Sequence, residues 1–298
     1  MNELRFDERV AVITGAGGGL GRSYALLLAS RGASVVVNDL GGSVDGQGSD
    51  AGAAARVVEE IRAAGGTAVA NTDSVSSAAG GKAIVETALD EFGRIDILIN
   101  NAGILRDTAF HKMTAEAFES VIAVHLLGAF YVTQPAYAHM REAGYGRIVL
   151  TTSAAGLYGN FGQVNYSAAK LGLVGFTKSL AHEGVKRGVR TNAISPAAAS
   201  RMTESLMPDG ARDILATEAV APVAAYLAHE SCQLNGETLT ALGGHVGRAF
   251  IAESAGLTTR GLTVEQVAEN LDQICDLEGY AMPNSPMDAL SVLGSLQG

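Results

Sequence analysis

A regular alternation of short β-branched runs with longer helical patterns is the feature that most restricts the fold of this sequence. The runs carry few polar residues, as strands buried on both faces of a sheet do. Strand–helix alternation requires right-handed crossovers, which leave the strands parallel and cover both faces with helices. The predicted strands are VAVIT (10–14), SVVVN (34–38), TAVAN (67–71), IDILIN (95–100), RIVLTT (147–152), VRTNAI (189–194) and ETLTAL (237–242).

The segments between the strands are predicted to be helices, so the predicted fold class is α/β. We expect a doubly wound, Rossmann-like parallel sheet in a single domain, residues 1–248. A helical extension is expected over 249–298, where a capping box at Thr263 opens an apolar helix, 263–275, and a second follows at 286–296. Two short apolar helices are not stable alone, so we expect them to dock on the main body or on a second subunit. The helices of the main domain are predicted near 19–31, 51–64, 76–92, 114–142, 164–187 and 218–229.

Composition argues against several classes of function. The 21 basic and 31 acidic residues give a net charge of −10 without a basic cluster, which argues against nucleic acid or anionic membranes as partners. No unbroken apolar stretch approaches the ~20 residues of a membrane span, and the N-terminus lacks a secretory pattern. Cys232 and Cys275 are too few for a disulfide framework and lack metal-ligand spacing. We therefore expect a cytoplasmic protein without a metal centre.

The turn after the first strand, TGAGGGLG (14–21), is rich in glycine. Gly15, Gly19 and Gly21 follow the spacing G-x-x-x-G-x-G, whereas Leu20 occupies the third glycine position of the strict G-x-G-x-x-G pattern. Glycine lets the backbone approach a pyrophosphate and directs helix N–H groups at it. A tight turn without a ligand would also use glycine, but the strand–turn–helix context favours a dinucleotide.

Asp39 ends the second strand, 18 residues beyond Gly21. A carboxylate here can accept both ribose hydroxyls of adenosine and would repel a 2′-phosphate. No arginine follows it within ten residues, and Arg22, just past the glycine turn, is expected to face outward. NAD is therefore favoured over NADP, the alternative being that Asp39 is an ordinary loop acid.

Three further residues indicate proton and hydride transfer. Tyr166 and Lys170 lie four positions apart on a predicted helix and so share a face. Ser153 follows the fifth strand, at the edge where open α/β sheets bind ligands. A phenol with a pKa near ~10 needs a nearby positive charge to act as a base at pH 7, and Lys170 and an oxidised nicotinamide would both supply one. Ser153 could then hold the substrate oxygen.

These motifs, with NNAG (100–103), occur in the order and spacing of the short-chain dehydrogenase/reductase family, which the sequence resembles over residues 6 to 248. The resemblance implies an NAD-dependent oxidoreductase acting on a CH–OH group and assembled as a homodimer or homotetramer. It places Asn101 near the adenine ribose or in support of the central strand. It also implies that Asp73, Ser74 and Val75 lie around the adenine and that Ala198 and Ala199 lie at the nicotinamide carboxamide. For Ser74, Val75, Ala198 and Ala199, plain loop packing stays an alternative.

His125 stands where this family usually carries an asparagine that holds a water in a proton relay to the lysine. Imidazole can also donate and accept hydrogen bonds, so His125 is a candidate catalytic residue. The alternative is a core histidine that caps a kink in the helix.

Within the family, the sequence resembles the dehydrogenase unit of peroxisomal multifunctional enzymes, which oxidises (3R)-hydroxyacyl-CoA and 17β-hydroxysteroids. The stretches that carry this likeness include VVVNDLGG (35–42), NNAGILRD (100–107) and YGNFGQVNYSAAKLGL (158–173). It implies a 3-hydroxyacyl-CoA substrate, with a hydroxysteroid or a non-catalytic dinucleotide sensor as alternatives. Those enzymes continue into a hydratase domain, so a hydratase is expected here as a separate protein.

The segment 200–219 is rich in methionine and leucine and follows the sixth strand. Flexible apolar side chains at this position favour a lid over an apolar ligand. A plain surface loop and helix is the alternative.

Overall fold

The computed structural model describes residues 3–50, 52–198 and 214–289, and within them the predicted sheet is present. An eighth strand was not predicted: Gly243 and Gly244, both with positive φ, form a two-residue turn of the kind that reverses a chain into an antiparallel neighbour. The strands are β1 Val10–Thr14, β2 Ser34–Asn38, β3 Thr67–Asn71, β4 Ile97–Asn100, β5 Gly146–Thr151, β6 Val189–Ala197, β7 Thr238–Leu242 and β8 His245–Ala249.

The strand order is β3-β2-β1-β4-β5-β6-β7-β8, and neighbours from β3 to β7 pair in parallel. The order reverses between β1 and β4, and open sheets of this kind bind ligands outside the strand ends at that point. This confirms the predicted fold class. The helices of the main unit are α1 Gly19–Ser30, α2 Gly52–Ala63, α3 Ala78–Phe92, α4 Ala115–Ile122, α5 Gly128–Ala143, α6 Ala154–Tyr158, α7 Val164–Gly184 and α8 Ala221–Ala228.

The core lies in two layers because successive strand side chains point to opposite faces of the sheet. Ile13 and Ile99 are buried on the face covered by α1, α2 and α8. Val12 and Leu98, their neighbours in sequence, are buried on the face covered by α3, α5 and α7. This packing fixes the strand ends, and with them the turn after β1 and the start of α7.

The helical run Ala115–Ala143 joins α4 and α5 through a π-helical turn, Ala123–Leu127. Among the described residues it is the one helix that could span a membrane by length and composition, with a mean hydropathy of 1.4. A potential membrane span was not expected from the sequence because polar residues interrupt the apolar stretches of this helix. In the fold, α4 packs against α7 and α5 packs against α3, so the run forms part of the layer that covers the sheet.

The chain divides into two compact units, Met1–Arg248 and Ala249–Gly298. In the second unit the capping box of Thr263 is present, and the helix expected over 263–275 is two short helices separated at Asn270. The last residues of the helix expected over 286–296 lie outside the described residues. The helices of this unit are α9 Val264–Glu269, α10 Leu271–Cys275 and α11 Pro286–Ala289.

Candidate active site

The turn between β1 and α1 requires glycine because backbone segments meet there with no room for side chains. A Cβ on Gly15, which has φ 65°, would lie 2.7 Å from Ala102 Cα, and one on Gly21 would lie 2.3 Å from the Gly15 carbonyl oxygen. In the described part of the chain, no side chain caps the N-terminus of α1, and its first turn contains no acid. Its N–H groups therefore fit a pyrophosphate.

Asp39 is half-buried at the end of β2, beside this turn. Its Oδ2 accepts a hydrogen bond from the Gly17 N–H at 2.7 Å, and its Oδ1 accepts one from the Gly41 N–H at 2.7 Å. Each oxygen keeps a lone pair, so the carboxylate is oriented and can still accept ribose hydroxyls. Arg22 pairs instead with the exposed Glu60 of α2, as expected of an outward-facing residue.

A cleft of about 430 Å³ runs from the glycine turn along the ends of β2, β3 and β4. Gly21 packs inside the turn rather than lining the cleft, and Ala198 is buried in the core. Ala199 and most of the predicted lid, 200–213, lie outside the described residues. The predicted cofactor residues that line the cleft are Gly15, Gly19, Leu20, Asp39, Asp73, Ser74, Val75 and Asn101.

Asn101 supports the first strand and its turn. Its side-chain amide donates to the carbonyl oxygens of Thr14 and Gly15, both at 3.1 Å, and its backbone N–H donates to the Thr14 hydroxyl at 3.0 Å. This is one of the two roles that the family resemblance leaves open. Asp73 is held by the buried Asn71, whose side chain donates to its carboxylate at 2.8 Å.

Ser153, Tyr166 and Lys170 come together where β5 ends and α7 begins. Ser153 caps α6, a helix that was not predicted, by accepting from the Ala155 N–H at 3.2 Å, and it lies close enough to Tyr166 to lower the pKa of the phenol. Lys170 Nζ lies 5.5 Å from the centroid of the Tyr166 ring and donates to the Thr151 carbonyl at 2.6 Å. The three predicted side chains thus share one edge of the sheet, beside the cleft.

Burial shifts the proton affinities of this group in opposite directions. Lys170 is 3% exposed, and its burial lowers its pKa to about 7. Burial also raises the pKa of Tyr166 above its usual value; the nearby Ser153 opposes this rise, and the charge of Asp107 adds to it. Without its dinucleotide, the protein therefore keeps the tyrosine protonated.

His125 lies in the π-helical turn, 3% exposed, next to this group. Its Nε2 is 2.8 Å from the Ile104 carbonyl oxygen and 3.0 Å from the Ile104 nitrogen, and its Nδ1 has no hydrogen-bond partner among the described residues. Burial, and next the charge of Lys170, lower the pKa of His125 well below 6.5, so the imidazole is neutral. A cavity of about 10 Å³, lined by His125, Lys170, Thr14 and Asn100, has room for one water beside it.

One wall of the cleft was not predicted from the sequence. The loop 41–50, which we call the strap, contributes Gly42, Ser43, Val44 and Gly46 to the lining, together with Ile104 and Arg106. The stretch NNAGILRD contains both of the latter residues, but it offered no sign that they meet the strap. Within the described ranges, no cluster of three or more His, Cys, Asp or Glu could hold a metal ion.

Comparison with known proteins agrees with this geometry. The short chain dehydrogenase family matches residues 9–211. The chain is 48% identical to peroxisomal multifunctional enzyme A of Dictyostelium discoideum over 97% of its own length and 65% of that protein's. It is 48% identical to the peroxisomal hydratase-dehydrogenase-epimerase of Neurospora crassa over 98% of its length and 33% of that protein's.

A solved structure, the full-length peroxisomal multifunctional enzyme type 2 from Drosophila melanogaster, has a TM-score of 0.83 and 39% identity. The match covers 98% of this chain and 50% of the Drosophila chain. This chain therefore spans one third to two thirds of the length of these relatives. The expected cytoplasmic location is wrong, because these relatives are named peroxisomal enzymes. The chain belongs to the short chain dehydrogenase family, whose members are oxidoreductases that use a nicotinamide dinucleotide.

Proposed function

We propose that the chain is an NAD-dependent dehydrogenase that oxidises the 3-hydroxyl group of a (3R)-hydroxyacyl-CoA. The observation that carries this proposal is the grouping of Ser153, Tyr166 and Lys170 beside the dinucleotide cleft. The Neurospora relative joins a dehydrogenase with a hydratase by name. A hydratase adds water across a double bond and so creates the hydroxyl group that a dehydrogenase oxidises.

In this mechanism, Ser153 Oγ holds the substrate oxygen and Tyr166 accepts its proton. Bound NAD supplies the hydride acceptor and, with its positively charged ring, favours the tyrosine phenolate. A protonated Lys170, with its Nζ 5.5 Å from the centroid of the Tyr166 ring, would add to this effect. Lys170 would also hold the ribose next to the nicotinamide.

His125 is proposed to take part in moving the proton away from Lys170. When its Nε2 carries the proton and donates to the Ile104 carbonyl, Nδ1 is left as an acceptor. A water in the small cavity would join Lys170 Nζ to that nitrogen. The competing interpretation, a core histidine that holds the helix turn against Ile104, uses the same hydrogen bond.

NAD rather than NADP is proposed because Asp39 presents a fixed carboxylate at the cleft. The cofactor would contact the cleft-lining residues named above and, at the nicotinamide end, Ala198 and Ala199. Exposed apolar side chains on α5 and α7, including Phe130 and Leu171, support a homodimer or homotetramer. A hydratase is the proposed supplier of the substrate.

The test is NADH formation with a 3-hydroxyacyl-CoA, with a 17β-hydroxysteroid and with neither substrate. Turnover of the (3R)-hydroxyacyl-CoA and not of the (3S) form supports the proposal. Turnover of the steroid alone would favour the hydroxysteroid alternative. NADH binding without turnover of either would favour a dinucleotide sensor.

A further inference from the structure

The strap 41–50 is a folded loop that closes on the cleft. It is held internally by Ser43, whose N–H donates to the Gln47 carbonyl at 2.9 Å and whose hydroxyl accepts from the Gln47 N–H at 3.0 Å. Its tip contacts the segment after β4: the Leu105 N–H donates to the Val44 carbonyl at 2.9 Å, and Arg106 Nε donates to the Asp45 carbonyl at 3.1 Å. Arg106 thus fastens the strap over the cleft.

The guanidinium of Arg106 has donors to spare for a ligand. Nη1 lies 3.6 Å from a carboxylate oxygen of Glu116, a side chain that is 85% exposed, so this ion pair is weak. Nη2 has no acceptor in the part of the chain that the structure describes. The Arg106 side chain is 26% exposed and lines the same cleft as Asp39, Ser74 and Asn101. A positive charge therefore faces the space that a dinucleotide would fill.

The backbone of Arg106 is tied to the catalytic helix. Its carbonyl oxygen accepts a hydrogen bond at 3.1 Å from the side chain of Asn165, which is fully buried. The Asn165 side chain in turn accepts from the Tyr166 N–H at 2.8 Å. One residue therefore contacts both the strap and the residue that precedes Tyr166.

We propose that Arg106 binds the adenosine diphosphate half of the dinucleotide and couples closure of the strap to the placement of Tyr166. The proposal rests on the dinucleotide binding of the proposed function. The adenosine half is chosen because Asp39, Asp73 and Ser74, on the same cleft, fit that half and not the nicotinamide. Arginine suits this role because its planar group can stack on a base or pair with a phosphate while Nε holds the strap.

The test compares Arg106→Ala, Arg106→Lys and the control Arg22→Ala, whose arginine pairs with Glu60 on the outer surface. Calorimetry would measure the Kd of NADH, ADP-ribose and reduced nicotinamide mononucleotide. Hydrogen exchange would follow peptides 41–50 and 163–169 without any ligand. Arg106→Ala should weaken NADH and ADP-ribose binding about tenfold, leave the mononucleotide unchanged, and raise exchange in both peptides.

Arg106→Lys should recover part of the affinity through its charge but leave exchange in the strap raised, since its ammonium cannot reproduce the Nε hydrogen bond. Arg22→Ala should match the unmutated protein in every measurement. The inference is overturned if Arg106→Ala, or Arg106→Lys should the alanine variant not fold, binds ADP-ribose within twofold of the unmutated protein. It is also overturned if exchange fails to rise in either of the two peptides.

These measurements use no acyl-CoA, so they separate this inference from the proposed function. An unmutated protein that binds neither NADH nor ADP-ribose would refute the dinucleotide site itself. An unmutated protein that binds both, with an unaffected Arg106→Ala variant, would refute only the role of Arg106.

Discussion

The His125 imidazole stands edge-on to the Tyr166 ring, with ring centroids 5.1 Å apart and an angle of 88° between the planes. The π-helical turn presents His125 at this position, and Gly103 leaves room for it, since a Cβ there would lie 2.3 Å from the imidazole Cε1. Lys170 borders the same small cavity. His125 and Lys170 are buried and Tyr166 is half-buried, so three titratable groups lie together, and the charge of Lys170 lowers the pKa of His125.

The buried neutral state of His125 makes stability depend on pH. Its pKa is lowered in the folded state, so below about pH 6.5 the unfolded chain binds a proton that the folded protein does not. We expect this contribution to the free energy of unfolding to be complete above pH 6.5 and to be lost by up to about 1.4 kcal/mol per pH unit below it. Urea unfolding of the cofactor-free protein at pH 5, 6 and 7 measures the free energy of unfolding. This free energy should fall less steeply with decreasing pH in His125→Asn than in the unmutated protein. Equal slopes in the two proteins would contradict the prediction.

Lys170 should also make the free energy of unfolding rise with pH, but over a higher pH range. Its pKa is about 7 in the folded state, against about 10.4 in an unfolded chain. Between these values the unfolded chain holds a proton that the folded protein has released, so stability rises with pH. Lys170→Met lacks this group. It should therefore be more stable than the unmutated protein at pH 6, and its advantage should shrink toward pH 10.

The control for this experiment is Lys178→Met on the same helix, a lysine outside the site, which should show no such trend. If the difference in unfolding free energy between Lys170→Met and the unmutated protein stays constant from pH 6 to pH 10, burial does not lower the pKa of Lys170.

The strands and the glycine turn could be predicted because their signals are local: a buried parallel strand reads as one apolar run, and a close backbone approach requires glycine. The strap could not, because its attachment joins the Asp45 carbonyl to Arg106, 61 residues apart. The π-helical turn leaves the apolar pattern unchanged, so the pattern predicts one helix across 114–142. The break between the helices on either side of Asn270 involves a single turn of backbone, and helix propensity is a weak guide to so local a change.

The second unit offers a prediction about assembly. None of its described residues is buried, while Val264, Leu271, Leu277 and Met287 are all more than half exposed. Apolar surface of this kind favours contact with other protein. We expect deletion of residues 250–298 to lower solubility or to change the mass measured by light scattering. An unchanged mass with an unchanged melting temperature would show that the unit has no role in assembly.

The cofactor preference can be tested at Asp39. The unmutated enzyme should use NAD with a higher kcat/KM than NADP, because the carboxylate repels a 2′-phosphate. Asp39→Ala removes that charge and the acceptors of the Gly17 and Gly41 N–H groups, so the preference should narrow and NAD binding should weaken. Asp39→Asn keeps one acceptor without the charge and separates the two effects. Equal efficiency of the unmutated enzyme with both cofactors would refute the assignment.

Tyr166→Phe tests the mechanism most directly, because it keeps the ring against His125 and removes only the hydroxyl. The fold and the Kd of NADH should be unchanged. General acid–base catalysis is typically worth about 10²–10⁴-fold in rate, so kcat should fall by at least that factor. Steady-state rates with the hydroxyacyl-CoA and a melting curve provide the measurement.

The pH profile of the same reaction identifies the base. Oxidation should require one deprotonated group with an apparent pKa well below that of free tyrosine, near ~10, because bound NAD and Lys170 favour the phenolate. Titration of His125 could give a similar limb, that is, a similar change of rate with pH. The profile is therefore repeated with His125→Asn. A limb that persists in that variant belongs to the Tyr166–Lys170 pair, whereas a limb that disappears belongs to His125. Near-normal turnover by Tyr166→Phe would place the base on another residue, and the assignment of this site would then be wrong.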